Sequence, residues 1–104
     1  MIPLSYAQER LWFLRELEGP GSAYHVPMAL RLRGRLDRAA LAAALGDVLA
    51  RHEALRTVFP TRDGQPVQQV LPAPARFQLT RTEVTEAELP GALASAAARP
   101  FDLS

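Results

Sequence analysis

The 104 residues predict an α+β or α/β arrangement, in the order helix, strand, helix, hairpin, strand, helix. Three local signals carry that prediction. Ser5 and Gln8 have capping-box spacing at the head of an amphipathic stretch. Residues Tyr24 to Arg33 alternate with a period of two. Asp63-Gly64 stands between two short β-rich runs, as a hairpin turn does.

The first helix is expected from Ser5 through Leu17, where the Gly19-Pro20-Gly21 cluster stops it. In the following run Tyr24, Val26, Met28, Leu30 and Leu32 share one face, and His25, Arg31 and Arg33 the other. That pattern predicts a half-buried strand, and Pro27, which cannot donate a ladder bond, places it at an edge. Asp37 is the N-cap expected for a second helix through about His52, rich in Ala, Leu and Arg. Thr57-Val58-Phe59 and Val67 to Leu71 form the arms of the hairpin. Phe77 and Leu79 suggest another short strand. Residues Thr85 to Arg99 read as helical, with Pro90 marking where the regular helix begins.

Composition excludes more than it assigns. The chain is one domain at most and is expected to bury a modest core. With 48% hydrophobic and 22% charged residues and a net charge of +1, it has no electrostatic footprint for nucleic acid or an anionic membrane. All strongly basic residues are Arg, and Lys, Asn and Cys are absent, which reads as GC-rich coding. Without Cys there is no disulfide framework, thiol nucleophile or Cys-built zinc site, and two distant His residues argue against a His-based metal site. No apolar run approaches the roughly 18 residues of a membrane span, and the first residues lack a signal peptide's apolar stretch. A cytoplasmic location is the expectation.

Two helices carry polar residues on their apolar sides. On a wheel of about 100° per residue, Leu4, Ala7, Leu11, Leu14 and Leu17 form an arc opposite Glu9 and Glu16. Arg10 projects between Leu14 and Leu17. Either its stem packs while its head reaches water, or it is buried and needs a carboxylate or several acceptors. On the second helix His52 falls in the middle of the Leu41, Leu45, Val48 and Leu49 stripe, and is expected to be a satisfied core histidine. Arg51 and Arg56 either salt-bridge to another segment or complement the helix C-terminal dipole. His25 is expected to be exposed, Trp12 and Tyr24 to pack. The Arg31, Arg33, Arg35 and Arg38 cluster reads as a solvated face.

Two strings reach further. Ser5 to Leu14 resembles the first core motif of the condensation domains of nonribosomal peptide synthetases, S-x-A-Q-x-R-L-W-x-L. Arg51 to Phe59 matches their second, R-H-E-x-L-R-T-x-F, at every fixed position. Ser5, Gln8, Trp12, His52 and Glu53 are motif and core positions of the two strings. The Gly34-Arg35-Leu36-Asp37 turn before an Ala/Leu helix is also typical of the family, and Pro100-Phe101-Asp102-Leu103 resembles the segment that precedes its third motif. At His25 relatives often carry Asn.

The resemblance implies part of an N-lobe of the chloramphenicol-acetyltransferase-like fold, an α/β sandwich of two lobes facing across a tunnel. It implies peptide-bond formation between a donor acyl or peptidyl group and an acceptor aminoacyl group. Both groups ride on phosphopantetheine arms of peptidyl carrier protein domains, with adenylation and other synthetase domains in cis. No directly bound cofactor is implied. The family's reactive motif is H-H-x-x-x-D-G, and these 104 residues contain no adjacent His pair. The sequence is therefore expected to stop short of it, to contain no catalytic residue, and to be inactive alone. The resemblance further implies a structural salt bridge between the Asp of that motif and an Arg near the N-terminus. Arg10, Arg51 and Arg56 all match positions that could supply it, and the wheel favours Arg10. The alternative function is a non-catalytic condensation-like module that recruits carrier proteins or tailoring enzymes. Intact or degenerate His and Asp in the reactive motif would separate the two.

Overall fold

The first two helices start where their capping chemistry directs. A computed structural model describes residues 2–104. Helix α1 spans Tyr6–Glu18; the Ser5 hydroxyl accepts from the Gln8 amide at 3.2 Å and Gln8 Oε1 accepts from the Ser5 amide at 2.8 Å. It ends at Gly19, whose φ of 81° suits a residue without a Cβ. Helix α2 spans Arg38–Arg51, with Asp37 Oδ1 accepting from the Ala40 amide at 3.0 Å. Helix α3 spans Leu89–Ala98 and carries its proline in the first turn, where no N–H is missed.

The sheet is built on one central strand. Strand β1 is Ile2–Pro3, β2 Thr57–Val58, β3 Thr61–Arg62 and β4 Gln65–Val70. β1 lies antiparallel along one side of β4, with Ile2 opposite Gln68. β2 and β3 lie antiparallel to β4 as one hairpin arm, broken at Phe59-Pro60. Arg62 faces Gln65, so the loop is the two residues Asp63 and Gly64, and both have positive φ, 52° and 77°. That is the type I′ signature the Asp-Gly pair announces.

Three expectations fail here, for one physical reason. Tyr24 lies in a turn, residues 25–33 have no regular secondary structure and join no ladder, and Phe77 to Leu79 form no strand. The expected core is also absent, because no described residue is buried. A strand needs a partner for its backbone and a surface for its apolar face, and the alternating pattern supplies neither. Val26 is 95% exposed and Met28 83%, so the face that the alternation assigns to the interior is open. A folded monomer of 11.4 kDa exposes about 5,800 Å², whereas this chain exposes 8841 Å². Its radius of gyration, 16.6 Å, likewise exceeds the about 13 Å of a compact chain this long. The architecture is an open α/β layer with an uncovered apolar side.

Candidate functional site

The second motif folds into a clamp. Past Arg51 the backbone leaves helical geometry at His52 (φ −117°, ψ 101°), makes one 3₁₀ turn over Glu53–Arg56, and enters β2. That turn brings the Arg56 side chain back under the end of α2. Its Nε donates to the Leu49 carbonyl at 3.1 Å and Nη2 to the Ala50 carbonyl at 3.2 Å, while Nη1 donates to the Leu71 carbonyl at 2.7 Å. Leu71 in turn donates its amide to the Arg56 carbonyl at 2.7 Å. Thr57 Oγ1 donates to the Glu53 carbonyl at 2.7 Å. One guanidinium thus satisfies two carbonyls that the helix terminus leaves open and ties them to the end of β4. A guanidinium has five N–H donors, so two on Arg56 stay free for a further acceptor.

The other sequence candidates lie apart from this clamp. Arg10 is exposed, with no hydrogen bond or ion pair among the described residues. The buried alternative for Arg10 does not hold in this chain, because the arc itself is open: Leu11 is 40% and Leu17 71% exposed. Arg51 is exposed at the last turn of α2. His52 is exposed too, a correction with a clear cause: it is the C-cap, so helical spacing no longer governs where its ring points. Glu53 is exposed and opens the 3₁₀ turn. Ser5 and Gln8 form the capping box, and Trp12 is half-buried on α1. Of the basic cluster, Arg31 forms a bidentate pair with Glu86 at 2.7 and 3.2 Å, pinning the segment before Gly34 to the loop before α3.

Sequence reasoning also missed two residues. His25, expected in solvent, is half-buried; its Nδ1 lies 3.0 Å from the Ala97 carbonyl and its ring meets Phe101 edge-on at 5.2 Å. A carbonyl only accepts, so Nδ1 is the donor in this contact. Alternation alone could not find this, because the neighbour is a helix end some seventy residues away. The second is Arg15 on α1, half-buried, with a buried Nε that has no partner among the described residues. On the wheel it is merely another polar residue.

His25 also borders the larger of two described clefts, about 770 Å³, between residues 25–29 and α3, with Leu93, Ala97 and Phe101 on its far wall. No helix among the described residues is long and apolar enough to cross a membrane.

Comparison with known proteins agrees with the motifs. The family model of the condensation domain matches residues 1–104. The chain is 57% identical over 104 residues to a protein named as a probable non-canonical nonribosomal peptide synthetase, CymA, of Salinispora arenicola, covering 100% of this chain and 1% of that one. It is 51% identical to a dimodular nonribosomal peptide synthase of Bacillus subtilis, covering 99% of this chain and 4% of the relative. Among solved structures, the X-domain from teicoplanin biosynthesis superposes with a TM-score of 0.85 at 48% identity, over 98% of this chain and 22% of that one. The first condensation domain of the CDA synthetase gives 0.78 at 25% identity, over 98% and 29%. The chain therefore spans a small share of each relative it matches.

Proposed function

Because this chain belongs to the condensation-domain family of nonribosomal peptide synthetases, we propose that it forms part of the N-lobe of an enzyme that joins two carrier-bound groups by a peptide bond. The acceptor amine attacks the donor thioester carbonyl, a C–N bond forms, the C–S bond breaks, and the amine proton leaves with the phosphopantetheine thiol. The observation that carries the reading is the second motif, present at every fixed position and folded into a clamp around Arg56. Within that reading this chain's role is architectural. It supplies no reacting group of its own and binds no cofactor directly. Its partners are peptidyl carrier protein domains, with adenylation and other synthetase domains in cis, in the cytoplasm.

Arg10, Arg51 and Arg56 remain the candidates to brace the Asp of the reactive motif. Arg56 is now the favoured one, because its guanidinium is anchored on three sides and retains free donors, whereas Arg10 and Arg51 are exposed. Reading the frame that follows the Ser104 codon tests the proposal. An intact H-H-x-x-x-D-G within a few tens of codons is the expected result. A motif lacking its second His or its Asp would overturn the enzymatic reading and favour a module that recruits carrier proteins or tailoring enzymes.

A further inference from the structure

A helix leaves its last carbonyls without intrahelical partners, and a backbone amide just past the end or a basic side chain in the last turn commonly answers them. Helices α1 and α2 have both devices. Gly19 donates to the Arg15 carbonyl at 2.8 Å and His52 to the Val48 carbonyl at 3.0 Å, and Arg15 and Arg51 stand in the last turns. Helix α3 has neither. Its last turn holds no basic residue, and among the described residues the amide of its C-cap, Arg99, closes no such bond. Pro100 follows, with no N–H to give.

The donor comes from 72 residues away: His25 Nδ1 reaches the Ala97 carbonyl at 3.0 Å. His25 is itself held, because its amide donates to the Ser22 carbonyl at 3.1 Å. Its ring also meets the Phe101 ring edge-on at 5.2 Å, just past the end of the helix. Further along the same segment Arg31 grips Glu86, in the turn before α3. The segment therefore holds α3 at both ends, and only the His25 end touches the chain that leaves the helix. We infer that His25 caps α3 from outside the helix, and that through this bond and the Phe101 contact it sets the direction of the Pro100 to Leu103 segment. His25 is then a positioning residue for the reaction. That half rests on the functional reading above, since only there does the segment lead toward the reacting groups.

Two variants separate the bond from the packing. His25→Asn keeps an N–H donor on the γ carbon, where Nδ1 sits. His25→Leu keeps an apolar body against Phe101 and has no donor. The readouts are amide hydrogen exchange at Ala97 and Ala98, the last two amides of α3, and single-turnover peptide-bond formation, both in the full-length protein that carries this chain. His25→Leu is expected to speed exchange at these amides about 5-fold, the scale of one ordinary hydrogen bond. It is expected to leave the last turn of α1 unchanged and to lower the chemical rate with KM unchanged. His25→Asn is expected to restore most of both. Unchanged exchange in His25→Leu, acceleration spread equally to α1, or an Asn variant no better than the Leu one would overturn the cap. A normal chemical rate beside a frayed α3 would overturn the positioning role. If the unmodified protein forms no peptide bond, the functional reading falls while the exchange data still decide the cap.

Discussion

Arg56→Ala in the full-length protein is expected to lower stability by about 2–4 kcal/mol, enough to reduce the folded population severely in a marginal domain. Three hydrogen bonds from one charged group are lost. A fully buried set would cost more, but two of these bonds lie near solvent and their carbonyls can turn to water. Arg56→Lys is expected to recover little. A single ammonium compensates the α2 dipole by about 0.3–1 kcal/mol, but it cannot span the Leu49, Ala50 and Leu71 carbonyls in one fork. Chemical denaturation of both variants measures this. A Lys variant as stable as the parent would show that the charge, and not the three-way geometry, is what the motif requires.

The second large effect concerns the 104 residues by themselves. Expressed alone, they are expected to associate and to melt without a cooperative transition. The surface exceeds that of a compact monomer of this mass by about 3,000 Å², where one side of a standard protein interface covers about 800 Å². Much of it is apolar: Val26, Met28, Leu30 and Leu32 lie on a segment that pairs with no strand, exposed by 95, 83, 73 and 70%. Such a segment presents both open backbone groups and greasy side chains to its neighbours. Light scattering with size separation, and a thermal scan, check the expectation. A soluble monomer with a sharp, reversible melt would contradict it.

What the sequence made legible were features closed within a few residues. The Ser5–Gln8 capping box, the Asp37 cap, Pro90 in the first turn of α3 and the Asp63-Gly64 turn are all satisfied by near neighbours, and all four stand as expected. Segments that depend on remote surfaces did not follow. Residues 24–33 alternate as a strand does, yet a ladder needs a second strand, and none is beside them. The wheel behind Arg10 and His52 assumes a covered apolar face and unbroken helix; the first assumption fails at Arg10 and the second at His52. The site was legible as motif strings. Its physical content was not, because the role of Arg56 depends on a 3₁₀ turn and on the end of β4, which meet only after folding.

The most direct test of the account is a single-turnover reaction with the full-length protein that carries this chain, a donor-loaded carrier protein and an aminoacyl-loaded acceptor carrier. The account predicts an amide product that stays on the acceptor carrier, and its loss when the second His of the reactive motif is replaced by Ala. No amide above the uncatalysed background, or the same yield from the His variant, would contradict it.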